Sequence, residues 1–540
     1  RNAIYSQEIS RYLERSRQQY ELNNEFLLQY NKTFDEFTFS VNAGGNLMHR
    51  SYEYVYGETQ GGLAIPLFYN LKNSISPAQS YNYLNKKSIN SIFGNATVGW
   101  KNFVYLDASI RNDWSSSLPK GNNSYLYPAV TGSFIFSELT KESAPWLSFG
   151  KFRAGYAFVG NDTDPYQVIN TYTQYTNIDA ATGTPGYTAS TTLRNEALKP
   201  ESTTSFETGL EISLLNNRIG FDVTYYSNET KDQIIPLSVS GTTGSLMRVI
   251  NSGLITNKGF EFSLHGFPVR TNDYSWESTL TLASNKNKVV DLIGETDYYR
   301  LTSAPFKVEI GAFKGSSYGA IMGTDYIYDD KGNKVVDEDG LYLSTNGNVN
   351  LGSAIPDFTG GWSNTFRYKN LDLGVLFDFA RGGHYFSTSY MWGMYSGMLE
   401  ESAANGIREN GIVLKGVTGD VEYDSNGNYK VTNTANNTTN VDALTYCESY
   451  YTGPAAQSVF KTDYLKLREI NVGYTFPLAS KYFVKSLRLS GYGRNLAVWG
   501  PGTKHFDPEM FITNSGNIQG IEGGAVPSVA NFGFNVSLKF

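Results

Sequence analysis

Four histidines, His49, His265, His384 and His505, are widely separated, and no two stand in HxxxH or HExxH spacing. Neither a zinc site on paired helical histidines nor an imidazole-activated nucleophile has support in the sequence. One cysteine, Cys447, rules out an internal disulfide framework and a cysteine-rich zinc site. The densest run of carboxylates is "DDKGNKVVDEDG", where Asp329, Asp337 and Asp339 offer the oxygen ligands that calcium takes. Its spacing departs from that of an EF-hand loop, and a solvated acidic loop explains it more simply. Calcium is therefore only a weak option, no other cofactor is expected, and no residue is assigned a catalytic role.

A second kind of chemistry is offered by aromatic rings. In "HYFSTSYMWGMYSGM" (His384 to Met398), Tyr390, Trp392 and Tyr395 stand close together, and Trp499 and Phe506 lie in a later polar stretch. On loops held by a rigid scaffold such rings stack on sugars or on peptide side chains. The alternative is that they pack within the loop or form an interfacial aromatic girdle, and the same choice applies to Trp114. Deciding between these requires the elements that hold them.

Those elements are strands. In "FVYLDASIRNDW", Val104, Leu106, Ala108 and Ile110 share one face, and Tyr105, Asp107, Ser109 and Arg111 share the other, because strand side chains alternate. "SFETGLEISL" sets Phe206, Leu210 and Ile212 against Glu207 and Glu211, and "RIGFDVTYYS" sets Phe221 and Val223 against Asp222. "LDLGVLFDFA" repeats the device with Asp378. About 15 such segments are expected. Forty tyrosines, 32 phenylalanines, 53 glycines and only 17 prolines suit many strands and tight turns. No run of about 18 apolar residues occurs, which excludes a transmembrane helix but not barrel strands of about 10 residues. Carboxylates on the polar faces fit a wet interior better than a dry core, since unpaired buried charge is costly. Asp107, Arg111, Glu207, Glu211, Asp222 and Asp378 are accordingly expected to face a lumen.

The connections fall into two classes. Short links such as "KN" (Lys101, Asn102), "LNNR" (Leu215 to Arg218) and "KNLD" alternate with long ones near 47 to 87, 160 to 202, 230 to 255, 289 to 356, 384 to 461 and 498 to 527. Turns at one rim and long loops at the other are the pattern of outer-membrane barrels. If the first strand lies near "EFLLQYNKTF" and the closing "SVANFGFNVSLKF" is the last, both run the same way and the count is odd. Bacterial single-chain barrels are even, so at least one strand is expected upstream of this sequence. The opening "RNAIYSQEIS" has no leader pattern and reads as a processed or truncated start. No internal domain boundary is visible.

Several stretches resemble signatures of the SusC/RagA family of TonB-dependent outer-membrane transporters of the Bacteroidetes. They are "INSIFGNATVGWKNFVYLDASIRNDWSSSLP", "KFRAGYAFVGN", "LKPESTTSFETGLEISLLNNRIGFDVTYYSNETKDQIIPL", "NSGLITNKGFEFSL", "PDFTGGWSNTFRY", "DYLKLREINVGYTFP" and "PSVANFGFNVSLKF", in order along almost the whole chain. The resemblance implies an all-β, antiparallel up-and-down transmembrane β-barrel. Residues 1–540 would supply about 15 strands of a 22-stranded barrel whose first strands and plug are not in this sequence. It also implies a Gram-negative outer membrane, import of oligosaccharides or peptides, and a SusD-like surface lipoprotein as lid. Energy would come from TonB–ExbB–ExbD through the plug, and SusC–SusD pairs would assemble as dimers. The terminal Phe540 resembles the barrel-insertion signal of outer-membrane proteins. Two rivals are a siderophore or cobalamin receptor of the same fold and a soluble all-β glycan-binding module. With 44 basic against 51 acidic residues, a net charge of -7 and no basic block, nucleic acid is not an expected partner.

Overall fold

A computed structural model describes residues 10–174, 186–239, 242, 244–292, 297–304, 307–425, 427–478, 483–512 and 519–540. Among them, fifteen strands follow one another in a single antiparallel up-and-down order. These are β1 (Leu13–Phe34), β2 (Phe37–Leu63), β3 (Ser74–Trp100), β4 (Val104–Ser115) and β5 (Ser124–Phe134). Then come β6 (Leu147–Asn161), β7 (Glu201–Leu214), β8 (Ile219–Ser238), β9 (Met247–Arg270) and β10 (Tyr274–Asp291). The last are β11 (Phe358–Tyr368), β12 (Leu371–Arg381), β13 (Tyr464–Pro477), β14 (Ser486–Trp499) and β15 (Asn531–Lys539). The expected number of about 15 and the place of the first strand agree with this order.

The short links fold tightly for a local reason. Lys101 and Asn102 both take positive φ, 48° and 59°, the backbone of a hairpin turn whose twist matches the strands it joins. In the next short link Leu215, Asn216 and Asn217 all have positive φ, which asparagine tolerates better than most residues. The long connections are only partly what the sequence suggests. Most of 47–87 is strand: the β2–β3 register runs unbroken from Phe37↔Trp100 to Glu58↔Gln79. Likewise 230–255 is largely the ends of β8 and β9, with 239–246 between them. The interval 289–356 holds a separate four-stranded sheet built from Tyr298–Ser303, Val308–Phe313, Tyr318–Gly323 and Val349–Ser353. The interval 384–461 holds helices α1 (Thr388–Tyr395) and α2 (Ala443–Thr452).

The chain divides into two compact units that the alternation pattern does not reveal. The first comprises Arg1–Ser133, Gly155–Ser205 and Thr230–Ser252. Its small core gathers Leu118, Tyr125, Leu198 and Val249, while Phe39, Val41, Leu106 and Ile110 stay exposed on the apolar strand face. Register places Val41, Ala96 and Ala108 on that face, and Ser40, Thr97 and Asp107 on the other. The second unit comprises Phe134–Ala154, Phe206–Glu229 and Gly253–Phe540. Its largest core joins the four-stranded sheet to the loop helices through Val308, Ile310, Ile321, Phe386, Met391 and Ile521. No helix among the described residues is long and apolar enough to cross a membrane, which says nothing against strands.

Candidate functional site

The polar strand faces carry ion pairs. In the first unit Asp107 accepts a bond from Thr97 Oγ1 at 2.5 Å. Arg111 donates to Asp113 Oδ1 and Ser91 Oγ, both at 2.8 Å, and Tyr127 donates to the same Asp113. In the second unit Asp222 takes a two-pronged bond from Arg153 at 2.7 and 2.8 Å, the geometry that guanidinium and carboxylate favour. Arg488 likewise grips Asp372. Glu207 is exposed and Glu211 half-buried. The six residues singled out in the sequence thus lie on several strands and form no single site. The basic partners of Asp222 and Asp378 were overlooked, although Arg153 and Arg468 sit in the quoted stretches "KFRAGYAFVGN" and "DYLKLREINVGYTFP".

The most concentrated group lies where the connection after β14 folds onto β13. Lys466, only 5% exposed, donates to Asp507 Oδ1 at 2.6 Å and also to Glu509. Arg468 bridges Glu509 and Asp378, at 2.6 and 2.9 Å, and Tyr464 donates to Glu509 at 2.8 Å. Pairing on both sides of β13 steps from Leu467 to Glu469, so Arg468 sits at a bulge, a device that re-aims side chains beside sites. Burial works to raise the Asp507 and Glu509 pKa values, but Lys466 and Ser528 hold Asp507, and Arg468, Lys466 and Tyr464 hold Glu509, below the ordinary carboxylate range. A cavity of about 220 Å³ adjoins the group, lined by Pro356, Thr359, Thr462, Tyr464, Glu509 and Phe511.

The loop helices sort the aromatic candidates. Ser387 caps α1 by accepting from Tyr390 N at 2.9 Å and donates to Glu522, which is 1% exposed. Tyr390 itself is 7% exposed, its ring 4.8 Å from Phe460 and 5.9 Å from Tyr450, and burial pushes its hydroxyl pKa up to about 12. It therefore supports the layer from within. Trp392 and Tyr395 are exposed and meet Tyr451 of α2: the Trp392 and Tyr451 rings stack at 5.4 Å, and Tyr395 lies 5.4 Å from Trp392, edge on. Tyr451 was missed, although "ESYY" signals another ring. Trp499 is exposed at the end of β14, Trp114 is exposed on β4, and Phe506 is half-buried beside His505. The rings are thus grouped as one exposed trio, with the others apart.

The acidic run is used for turns. Asp329 accepts from the Lys331 and Asn333 amides at 2.9 and 2.7 Å, Asp337 accepts from Leu341 N at 2.8 Å, and Asp339 is exposed. No group of three or more His, Cys, Asp or Glu among the described residues converges as a metal site would require. At the far end of the chain the Phe540 ring lies 5.0 Å from Phe483.

An up-and-down ladder with an apolar face, a salt-bridged polar face and folded loops is the construction of an outer-membrane barrel. Residues 2–496 match the family model described as "TonB dependent receptor-like, beta-barrel", and the chain belongs to that family of outer-membrane proteins. TonB-dependent receptor P3 of Formosa agariphila is 26% identical, covering 96% of this chain and 52% of that protein. TonB-dependent receptor SusC of Bacteroides thetaiotaomicron is 26% identical, covering 73% of this chain and 42% of that protein. The chain therefore spans about half the length of the curated relatives it matches. The RagAB peptide transporter shares the fold, with a TM-score of 0.76 at 20% identity over 98% of this chain and 56% of that one. The resemblance to the SusC/RagA family is borne out.

Proposed function

We propose that this chain forms the barrel wall and loop layer of a SusC-type, TonB-dependent importer of oligosaccharides or peptides. A SusD-like lipoprotein covers the long-loop rim, the pairs assemble as dimers, and TonB–ExbB–ExbD acts through the plug of the whole protein. The observation that carries the choice of cargo is the trio of Trp392, Tyr395 and Tyr451, presented on a layer whose own core is closed beneath it. Flat aromatic faces held rigidly stack on sugar rings or peptide side chains at little entropic cost. Family membership supports transport rather than covalent chemistry, and the wet, ion-paired strand faces suit a polar path.

The test uses the full-length gene in its own host. Deleting it abolishes growth on a particular oligosaccharide or peptide, and the triple variant Trp392→Ala, Tyr395→Ala, Tyr451→Ala, expressed at normal level, restores that growth poorly. A deletion strain that grows normally on oligosaccharides and peptides but starves for iron or cobalamin would overturn the cargo assignment.

A further inference from the structure

The outer reaches of β1, β2 and β3 carry a feature that the importer reading does not use. On β2 the apolar face runs from Phe37 through Phe39 and Val41 to Leu47, all exposed, about the length that crosses a membrane. The strand continues to Leu63, so its second half stands clear of the apolar band. There, on the opposite face, Tyr52, Tyr54 and Tyr56 meet Tyr81 and Tyr83 of β3. Tyr54 stacks on Tyr83 at 5.1 Å, Tyr56 lies 4.8 Å from Tyr81, and Tyr52 lies 6.2 Å from Tyr83. The alternation from Ser40, which pairs with Thr97 and through it with Asp107, puts this ladder on the polar face.

Arg15 of β1 lies over two of the rings, 5.0 Å from the Tyr54 centroid and 5.4 Å from that of Tyr56. Arg17 stands opposite Tyr54 in the register. Both arginines are exposed, and neither makes an ion pair with a described residue. Of the carboxylates on this face, Glu58 pairs with Arg11, and Glu21 accepts from Asn23 Nδ2 at 2.9 Å. Two guanidinium groups beside five tyrosine rings, in a chain of net charge -7, give this face the chemistry that receives an anion.

We infer that this tyrosine and arginine ladder binds an acidic oligosaccharide, one bearing carboxylate or sulfate groups, on the outer part of the barrel wall. Tyr81 and Tyr83, 46% and 40% exposed, offer ring faces to the C–H face of a sugar. A guanidinium fixed over a ring keeps its N–H edge for the acidic group. On the ring face itself a peptide is the poorer occupant, because there the β1–β2 and β2–β3 backbones are bonded to each other and the face offers rings and guanidinium groups rather than free main-chain groups. The inference rests on the importer reading and narrows its cargo.

Full-length protein purified in detergent is titrated with an oligogalacturonate hexamer, a sulfated heparin hexasaccharide, maltohexaose and polyglutamate. At least one acidic oligosaccharide binds, maltohexaose and polyglutamate bind at least about tenfold more weakly, and the double variant Arg15→Gln, Arg17→Gln removes that preference. Tyr81→Ala with Tyr83→Ala weakens the acidic oligosaccharide, and the corresponding Phe variants retain it, so that loss of stacking is separated from misfolding. The arm that binds tells carboxylate from sulfate. Equal binding of maltohexaose, equal binding of polyglutamate, no binding of either acidic oligosaccharide, or indifference to the arginine variant would each overturn the inference. Gene-dependent uptake surviving in the arginine variant with unchanged acid preference sinks the ladder alone, whereas absence of any gene-dependent oligosaccharide or peptide uptake sinks the importer reading.

Discussion

Lys466 neutralises two carboxylates in a place with little water, and that sets the consequence of removing it. Lys466→Ala leaves Asp507 with no cation and Glu509 with Arg468 as its only one, and breaking a buried pair in this way costs about 3–5 kcal/mol. The expected result is local: the Ile512 amide, bonded to Ile521 O at 2.8 Å, exchanges faster while strand amides keep their protection. Because both carboxylates have pKa values below their ordinary 3.8 and 4.5, the latch contributes above about pH 4.5 and is lost as pH falls through the depressed values. Lys307 has the opposite sense. Burial pushes its pKa down to about 8, so the unfolded chain binds more protons from there to 10.5 and stability rises with pH over that window. The ¹³C-methyl signal of reductively methylated Lys307 should titrate near pH 8, with Lys504, whose pKa is raised by Glu400, titrating well above it. Single residues were legible where charge met alternation, as at Asp222 and Asp378. The aromatic run was harder, because Tyr390 and Trp392 differ only once helical spacing turns Tyr390, Met391 and Met394 inward.

Helix α1 depends on its first residue more than on its propensity. Its eight residues are too few to be stable alone, and Ser387 both caps it and satisfies Glu522. Ser387→Ala removes the cap and one donor to a buried carboxylate, together about 2 kcal/mol. Exchange protection at the Tyr390 and Met394 amides should fall roughly thirtyfold, and the stacking of Trp392 on Tyr451 should loosen with it. A change confined to Ser387 itself would mean that the core around Met391 holds the helix unaided. The long strands teach a related lesson about reading elements. Strand ends within the apolar band were visible because lipid on one face enforces strict alternation. Beyond that band, "SYEYVYGETQ" has lipid on neither face, so nothing restricts either face to apolar residues, and pairing there is set by registry with β1 and β3. The same absence of a lipid constraint hid the four-stranded sheet between β10 and β11.

At the scale of the whole molecule, the alternation itself is the claim most open to test. Leu106 and Asp107 are neighbours in sequence but lie on opposite faces of β4, with Leu106 52% exposed and Asp107 bonded to Thr97. If the apolar face meets lipid, Leu106→Arg places a charge near mid-bilayer at a cost of about 2–4 kcal/mol. Asp107→Asn loses only part of one hydrogen bond, about 1 kcal/mol, on a face that stays wet. The full-length protein carrying Leu106→Arg should therefore reach the outer membrane with a much smaller heat-modifiable, folded fraction, and Asp107→Asn should be close to the parent. Equal yields from the two would mean that the apolar face is covered by protein rather than lipid. That outcome would also undo the placement of the tyrosine ladder, since both rest on the same register through Ser40, Thr97 and Asp107.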